Sequence, residues 1–198
     1  MQTSPATFKR NTAVIYHGQN GPQRRFIAGK IGAYCVLSLT KHSDSGCCIP
    51  FEELDKTVFP APNEHGVFEE EVCQTFGARL DRQFYVEVHY VQAGPMEWCA
   101  SLSRQFGNSY SGSLPSQCDV FPTFEAAMKN VLSEDLRQLA RFAAGSPSGL
   151  DHGVSQSKLP TARKFAKDAI YKLLYHFEPS LYNDILISLM KNSDHNHG

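Results

Sequence analysis

The hydrophobic pattern is clearest in the last third of the chain, where it predicts three amphipathic helices. Thr123 to Ala144 carries a continuous apolar stripe at helical spacing, and Gly145 follows as a residue that commonly ends a helix. Lys158 to Phe177 repeats this pattern with a proline in its first turn, where proline is tolerated. A shorter amphipathic segment, Leu181 to Lys191, completes the predicted helical block.

Alternation of apolar and polar residues near the N-terminus predicts β-strands instead. Thr12 to His17, Arg25 to Ala28 and Ile31 to Leu39 are expected to form a meander. The pair Gly29-Lys30 is of the kind that closes a tight hairpin, so we expect a turn there. Phe51 to Thr57 follows as a short helical piece that ends before a proline-rich segment.

The middle of the chain predicts one further helix and a second hairpin. Val67 to Leu80 places large apolar residues four apart and has acidic residues in its first turn, which favours a helix. Phe84 to Val91 and Glu97 to Leu102 are rich in strand-forming residues on either side of a glycine-proline turn. Arg104 to Cys118 is rich in serine and glycine and predicts a long loop.

These elements together predict an α+β fold. An antiparallel sheet or meander of about four to six strands in the N-terminal half is expected to pack against one internal helix and a C-terminal block of three amphipathic helices. We expect residues 1–198 to form a single domain, with a β-rich region at 9–118, a helical region at 119–192 and a flexible tail at 193–198.

Composition favours a folded protein of the cytoplasm. Hydrophobic residues make up 41% and charged residues 20% of the chain, and no segment resembles a membrane span or the apolar core of a signal peptide. Without an export signal, the six cysteines are expected to be free thiols. The chain lacks the Cys-x-x-Cys and His-x-x-x-His spacings of structural zinc sites, so neither a metal nor a cofactor is predicted.

Charge is balanced overall but unevenly distributed along the chain. The formal net charge of -1 argues against a protein dedicated to packaging nucleic acid and against an acidic mimic of DNA. Met1 to Lys41 contains six basic residues and no acidic one, whereas Glu52 to Glu71 contains seven acidic residues and a single lysine. This asymmetry predicts one positive surface and one negative surface.

The strongest candidate for a positive surface is the second C-terminal helix. Only Asp168 offsets its cations, and the basic residues of the first hairpin would extend the patch if they packed nearby. The candidate binding residues are Lys158, Arg163, Lys164, Lys167, Lys172, Arg24, Arg25 and Lys30. We therefore favour a non-enzymatic interaction or regulatory protein that binds a macromolecular partner, protein or nucleic acid, through this basic helix face.

The sequence also leaves two alternative functions open. Asp81, Glu87 and His89 resemble in part the Asp … Glu-x-Lys constellation that holds magnesium in many nucleases, with a histidine in place of the lysine. That resemblance implies a metal-dependent hydrolase of nucleic acids or nucleotides, in which these residues are catalytic. The second alternative is a protein-protein inhibitor from a mobile element that uses the acidic stretch Glu52 to Glu71.

Overall fold

The computed structural model describes residues 8–177. Along this range the chain forms the following helices and strands: β1 Ala13–Gly18, β2 Gly21–Ile31, β3 Tyr34–Ser38, β4 Cys47–Pro50, α1 Phe51–Thr57, β5 Val58–Pro60, β6 Gln74–Arg79, β7 Phe84–Gly94, β8 Glu97–Phe106, β9 Ser109–Ser111, β10 Val120–Phe121, α2 Phe124–Ala143 and α3 Leu159–His176. The predicted helix Leu181 to Lys191 and the predicted tail lie outside the described residues.

The strands form two antiparallel sheets rather than the single sheet that we expected. The first sheet has the order β4-β3-β2-β1-β5, and the second has the order β10-β8-β7-β6 with β9 paired to β8. The predicted combination of antiparallel strands and helices is confirmed. A simple meander would have placed β5 beside β4, but β5 pairs with β1, with Ile15 opposite Phe59. The intervening helix α1 allows the chain to reach the opposite edge of the sheet.

The chain divides into two compact units, which we call the first unit and the second unit. Residues 8–74, 90–100 and 114–124 belong to the first unit, and residues 75–89, 101–113 and 125–177 belong to the second. The single domain expected from the sequence stays a prediction. Among the described residues, no helix is sufficiently long and apolar to cross a membrane.

The first sheet and α1 share one hydrophobic core in the first unit. Its buried members come from the strands, from α1 and from the segment that precedes β1: Phe8, Val14, Ile27, Cys35, Leu37, Ile49, Leu54 and Val58. Leu54 is the buried residue of α1, so this short helix is held by burial of one leucine rather than by its own length. Strand β3 lies in the interior of the first unit, because its four consecutive residues Cys35 to Ser38 are all buried.

In the second unit, α2 and α3 bury one apolar face each. Both helices confirm the segments predicted from sequence, and Gly145 adopts a φ of 76° immediately after α2, as expected for a helix-ending glycine. Four phenylalanines from β7, β8, α2 and α3 join in an aromatic cluster with ring centroids 5.3–6.4 Å apart: Phe84, Phe106, Phe142 and Phe165. Edge-to-face contacts of this kind add stability beyond the burial of apolar area.

The predicted internal helix over Val67 to Leu80 is wrong. Only Glu70–Val72 forms a short 3-10 turn, and β6 follows it. A four-residue spacing of apolar residues is a multiple of the strand period of two, so the same pattern fits a strand. Gly77 allows the strand to pair closely with β7, because a Cβ at this position would lie 2.1 Å from the carbonyl oxygen of Val86. A glycine in this strand therefore permits close approach of its neighbour.

The predicted turn at Gly29-Lys30 is also wrong. Strand β2 continues through both residues, with a register shift between Ile27 and Gly29 in its pairing with β3. The turn lies at Gly32, where φ is +56°. Glycine serves bulges as well as turns, so the sequence pattern alone did not distinguish the two.

The predicted loop Arg104 to Cys118 contains more regular structure than its composition indicated. Its first residues complete β8, and Ser109–Ser111 pairs back on β8 as β9. The connecting residue Gly107 has a φ of +62°, which closes this hairpin.

Candidate functional site

Helix α3 has one face in the core of the second unit and one face in solvent. Its buried side consists of small and apolar residues at helical spacing: Ala162, Phe165, Ala166, Ala169, Ile170, Leu173 and Leu174. On the opposite side, Lys164, Tyr171 and Tyr175 follow one another at spacings of seven and four residues, which places them in one stripe. We call the exposed set of Lys164, Lys167, Asp168, Tyr171, Lys172 and Tyr175 the α3 outer face, in which Asp168 offsets one of three lysines.

The two tyrosines of the α3 outer face are unusually accessible for aromatic residues. Tyr175 is 88% exposed and Tyr171 is 49% exposed. Lys164 and Lys167 are also exposed, and neither side chain has a hydrogen-bond or ion-pair partner within residues 8–177. An unpaired ammonium group can bind a phosphate while a neighbouring exposed aromatic ring stacks on a planar group of the same ligand.

Lys172 is held at the edge of this face by an aromatic neighbour. Its ammonium lies 5.5 Å from the centroid of the Phe76 ring on β6. His176 stacks on the same ring at 3.5 Å with an interplanar angle of 8°. Burial lowers the pKa of His176, which favours its neutral form, so positive charge at this end of α3 comes from Lys172.

Two of the predicted binding residues at the start of α3, Arg163 and the preceding Lys158, have partners of their own. The guanidinium of Arg163 lies 3.9 Å from Asp151, its side chain is 37% exposed, and its Nε is buried without a hydrogen-bond partner. Lys158 donates a hydrogen bond from Nζ to the side chain of Gln83. Both residues attach the start of α3 to other parts of the second unit.

The predicted extension of the patch by the first hairpin uses residues of the first unit. Arg24 donates a 2.9 Å hydrogen bond to the carbonyl oxygen of Pro62, and Lys30 lies 5.8 Å from the ring centroid of Phe51. Arg25 directly follows Arg24 in β2, so the two side chains point to opposite faces of the sheet. These three cations therefore do not form one patch.

The residues of the hydrolase alternative each have a local structural partner. Asp81 accepts two backbone N–H groups of the turn before β7, at 2.6 and 3.0 Å. Glu87 accepts hydrogen bonds from Arg79 at 2.8 and 3.0 Å, and His89 is 5% exposed with Nδ1 3.0 Å from the Thr75 hydroxyl. Within the described part of the chain, no group of three or more His, Cys, Asp or Glu side chains is arranged to hold a metal ion.

A pocket in the first unit is the feature that the sequence reasoning missed. We call it the N-terminal pocket, and its charged lining consists of Lys9, Arg10, Arg24, Lys41, Glu69 and Glu71. The signal that pointed to it was present, because Met1 to Lys41 contains no acidic residue. Of the six basic residues in that segment, Arg24, Arg25 and Lys30 were predicted to extend the α3 patch, whereas Lys9, Arg10, Arg24 and Lys41 line this pocket.

Comparison with known proteins found no matching protein family, no matching curated protein and no matching solved structure.

Proposed function

We propose that the protein is a non-enzymatic binding protein that holds single-stranded nucleic acid on the α3 outer face. The observation that carries the proposal is the combination of Tyr171 and Tyr175, both exposed, with Lys164 and Lys167, whose side chains have no partner in the described range. Lysines meet the phosphates and tyrosine rings offer stacking surfaces for unpaired bases.

The tyrosines favour nucleic acid over an acidic protein as the partner. Lysines alone would attract either partner, but an exposed aromatic ring adds a stacking contact for a base that the carboxylates of an acidic protein do not make. Burial of the opposite face of α3 against the core fixes the helix, so Tyr171 and Tyr175 are held on one side in advance of binding. Single strands expose the faces of their bases, whereas a duplex hides them, so the site should prefer single strands.

The salt dependence of binding follows from the number of lysines on the α3 outer face. Three lysines contacting phosphates of a single strand would release counterions and produce a slope of log K against log salt of about -2. This modest value agrees with a chain whose net charge is -1. The protein is therefore expected to bind best at low ionic strength.

The test measures fluorescence anisotropy of a labelled single-stranded oligothymidylate. Reversing two charges in Lys164→Glu/Lys167→Glu should weaken binding at least about tenfold and reduce the salt slope. The matched control, Lys129→Glu/Arg141→Glu, makes the same change in charge at exposed positions of α2. Arg163 is left unchanged because its reversal would disturb the contact with Asp151.

A second variant separates stacking from charge. Tyr175→Ala should weaken binding roughly fivefold or more while keeping the salt slope, because a stacking contact releases no counterions. Tyr34→Ala removes a tyrosine that is 47% exposed on β3 and should leave binding unchanged. Equal affinity in the Lys164→Glu/Lys167→Glu protein and its control would refute the proposal. Tighter binding of polyglutamate than of oligothymidylate would assign the face to an acidic protein instead.

A further inference from the structure

The N-terminal pocket has the size and chemical variety of a small-molecule site. Its volume is about 700 Å³, and all of its lining residues belong to the first unit. Pockets of a few hundred to about 1,000 Å³ are typical of sites for small ligands. Phe26, Ala61 and Pro62 supply apolar surface beside the charged residues. The pocket thus offers both an aromatic ring and charged groups to one ligand.

The charged residues are divided between a cationic group and an acidic group. Four cations against two carboxylates leave an excess of two positive charges, in a chain whose total is -1. Arg10 is oriented by an ion pair with Asp44, and Arg24 by its hydrogen bond to Pro62. Lys9 and Lys41 have no side-chain partner within the described residues. These two ammonium groups are therefore available to an anionic ligand.

The backbone is constrained where the cationic residues meet. Asn11 and His42 have φ values of 69° and 68°, and they are the non-glycine residues with positive φ in the described part of the chain. Both line the pocket, and the Asn11 side chain accepts a 3.2 Å hydrogen bond from the His42 backbone N–H. Left-handed backbone is costly outside glycine and is retained where surrounding structure holds it. This contact sets the positions of the preceding residues Arg10 and Lys41.

The acidic side of the pocket is also ordered. Asn63 donates a 2.8 Å hydrogen bond to Glu69 and accepts backbone N–H groups of its own turn at 2.9 and 3.1 Å. Glu71 has no side-chain hydrogen bond within residues 8–177. Carboxylates accept hydrogen bonds and repel anions. A ligand that carries both an anionic group and hydroxyl or amino donors can therefore interact with both kinds of charged residue.

From this arrangement we infer that the N-terminal pocket binds a nucleoside monophosphate. Lys9, Lys41 and Arg24 receive the phosphate, because ammonium and guanidinium groups make charge-assisted hydrogen bonds with it. Glu69 and Glu71 accept hydrogen bonds from ribose hydroxyls, and Phe26 presents an aromatic ring for the base. The site is separate from the α3 outer face in residues and in ligand, since none of its lining comes from α3.

Isothermal titration calorimetry of the full chain with adenosine 5′-monophosphate tests this inference. The double variant Lys9→Met/Lys41→Met should weaken binding at least about tenfold, because it removes two charge-assisted contacts. The control variant Lys56→Met/Lys129→Met removes the same number of charges at other exposed positions. Lys164→Glu/Lys167→Glu should bind the nucleotide as the unmodified chain does, whatever its affinity for oligothymidylate.

Ribose 5-phosphate and inorganic phosphate test the division of the pocket. Ribose 5-phosphate should bind more tightly than inorganic phosphate. Glu71→Gln should narrow that difference in affinity, because a neutral amide is a weaker acceptor for a ribose hydroxyl than a carboxylate. Absence of saturable heat with the nucleotide would overturn the inference, as would equal weakening in the two double variants. Equal affinity for inorganic phosphate and nucleotide would also overturn it, by reducing the pocket to a general anion patch. If circular dichroism shows that Lys9→Met/Lys41→Met is unfolded, Lys41→Met replaces it and should weaken binding more than its control, Lys56→Met.

Discussion

A partly buried ion pair in the second unit is expected to contribute strongly to the free energy of unfolding. The side chain of Arg104 on β8 is 12% exposed, and its guanidinium forms an ion pair with Asp135 on α2. A second nitrogen of the same guanidinium donates a 2.8 Å hydrogen bond to Gln138, one helical turn further along. One arginine therefore connects a strand to two positions of a helix. We predict that Arg104→Met destabilises the protein at neutral pH.

The magnitude follows from the exposure of the two partners. Breaking a fully buried pair by removing one member costs about 3 to 5 kcal/mol, because the other charge stays buried and unpaired. Asp135 retains 27% side-chain exposure, and the substitution also removes the buried, unpartnered Nε of Arg104. We therefore expect a loss of about 2 to 3 kcal/mol, below or at the lower end of that range. For a chain of this size, the melting temperature should fall by roughly 4 to 12 °C.

The pH dependence of this loss has a defined sign. Burial raises the pKa of Asp135, and the charge of Arg104 works against that shift. Removal of Arg104 should therefore raise the pKa of Asp135 further. A carboxyl group with a raised pKa in the folded state lowers stability as pH rises through that pKa, and it has no such effect below its unfolded pKa. The loss caused by Arg104→Met should thus be smaller in acid than at neutral pH.

Urea unfolding followed by circular dichroism at 222 nm measures both effects, because α2 and α3 dominate that signal. Arg137→Met is the matched control, since Arg137 forms an exposed 3.6 Å ion pair with Glu134 on the same helix. Exposed pairs contribute about 0 to 1 kcal/mol, so this control should change stability little. A loss of stability in Arg104→Met no larger than in Arg137→Met, or a loss that grows in acid, would contradict this prediction.

Two further predictions concern the backbone and the thiols. Gly107→Ala should lower the urea midpoint by an amount equal to at least about 1 kcal/mol, because its φ is +62° and a Cβ would lie 2.0 Å from the carbonyl oxygen of Gly153. Gly149→Ala, which meets no atom within 4 Å, is the control, and equal losses would contradict the prediction. Burial raises the pKa of Cys73 to about 12, so this half-buried thiol should react with an aromatic disulfide reagent at pH 8 much more slowly than the exposed thiols. Fast labelling of Cys73, read by mass spectrometry, would contradict that assignment. The exposed thiols should be labelled first: Cys47, Cys48 and Cys118.

Local periodicity explains which elements could be predicted from sequence. The stripes of α2 and α3 extend over several turns, so a helix is the conformation that places all of their apolar residues on one side. Strands β7 and β8 were likewise recognisable from their strand-forming residues and the turn between them. Each of these signals is contained in neighbouring residues of the chain.

The two wrong predictions, the helix over Val67 to Leu80 and the turn at Gly29-Lys30, arose where one local pattern fits two structures. The spacing of Phe68, Val72 and Phe76 fits a helix and also fits extended chain, and only the contact of Gly77 with the backbone of β7 selects the strand. Gly29 could mark a turn or a bulge, and the pairing of β2 with β3 selects the bulge. In both cases the deciding interaction joins residues of different strands.

For the candidate sites, the amino-acid order is enough to show that cations are in excess in α3 and in the segment Met1 to Lys41. The role of each cation depends on its contacts in the folded chain. Burial of one side of α3 leaves Lys164 and Lys167 outward but turns Arg163 toward Asp151. Convergence of four N-terminal cations on one pocket requires strand pairing and two left-handed residues, which hold distant parts of the chain together. Composition records which charges are present, whereas their spatial grouping depends on contacts between residues far apart in sequence.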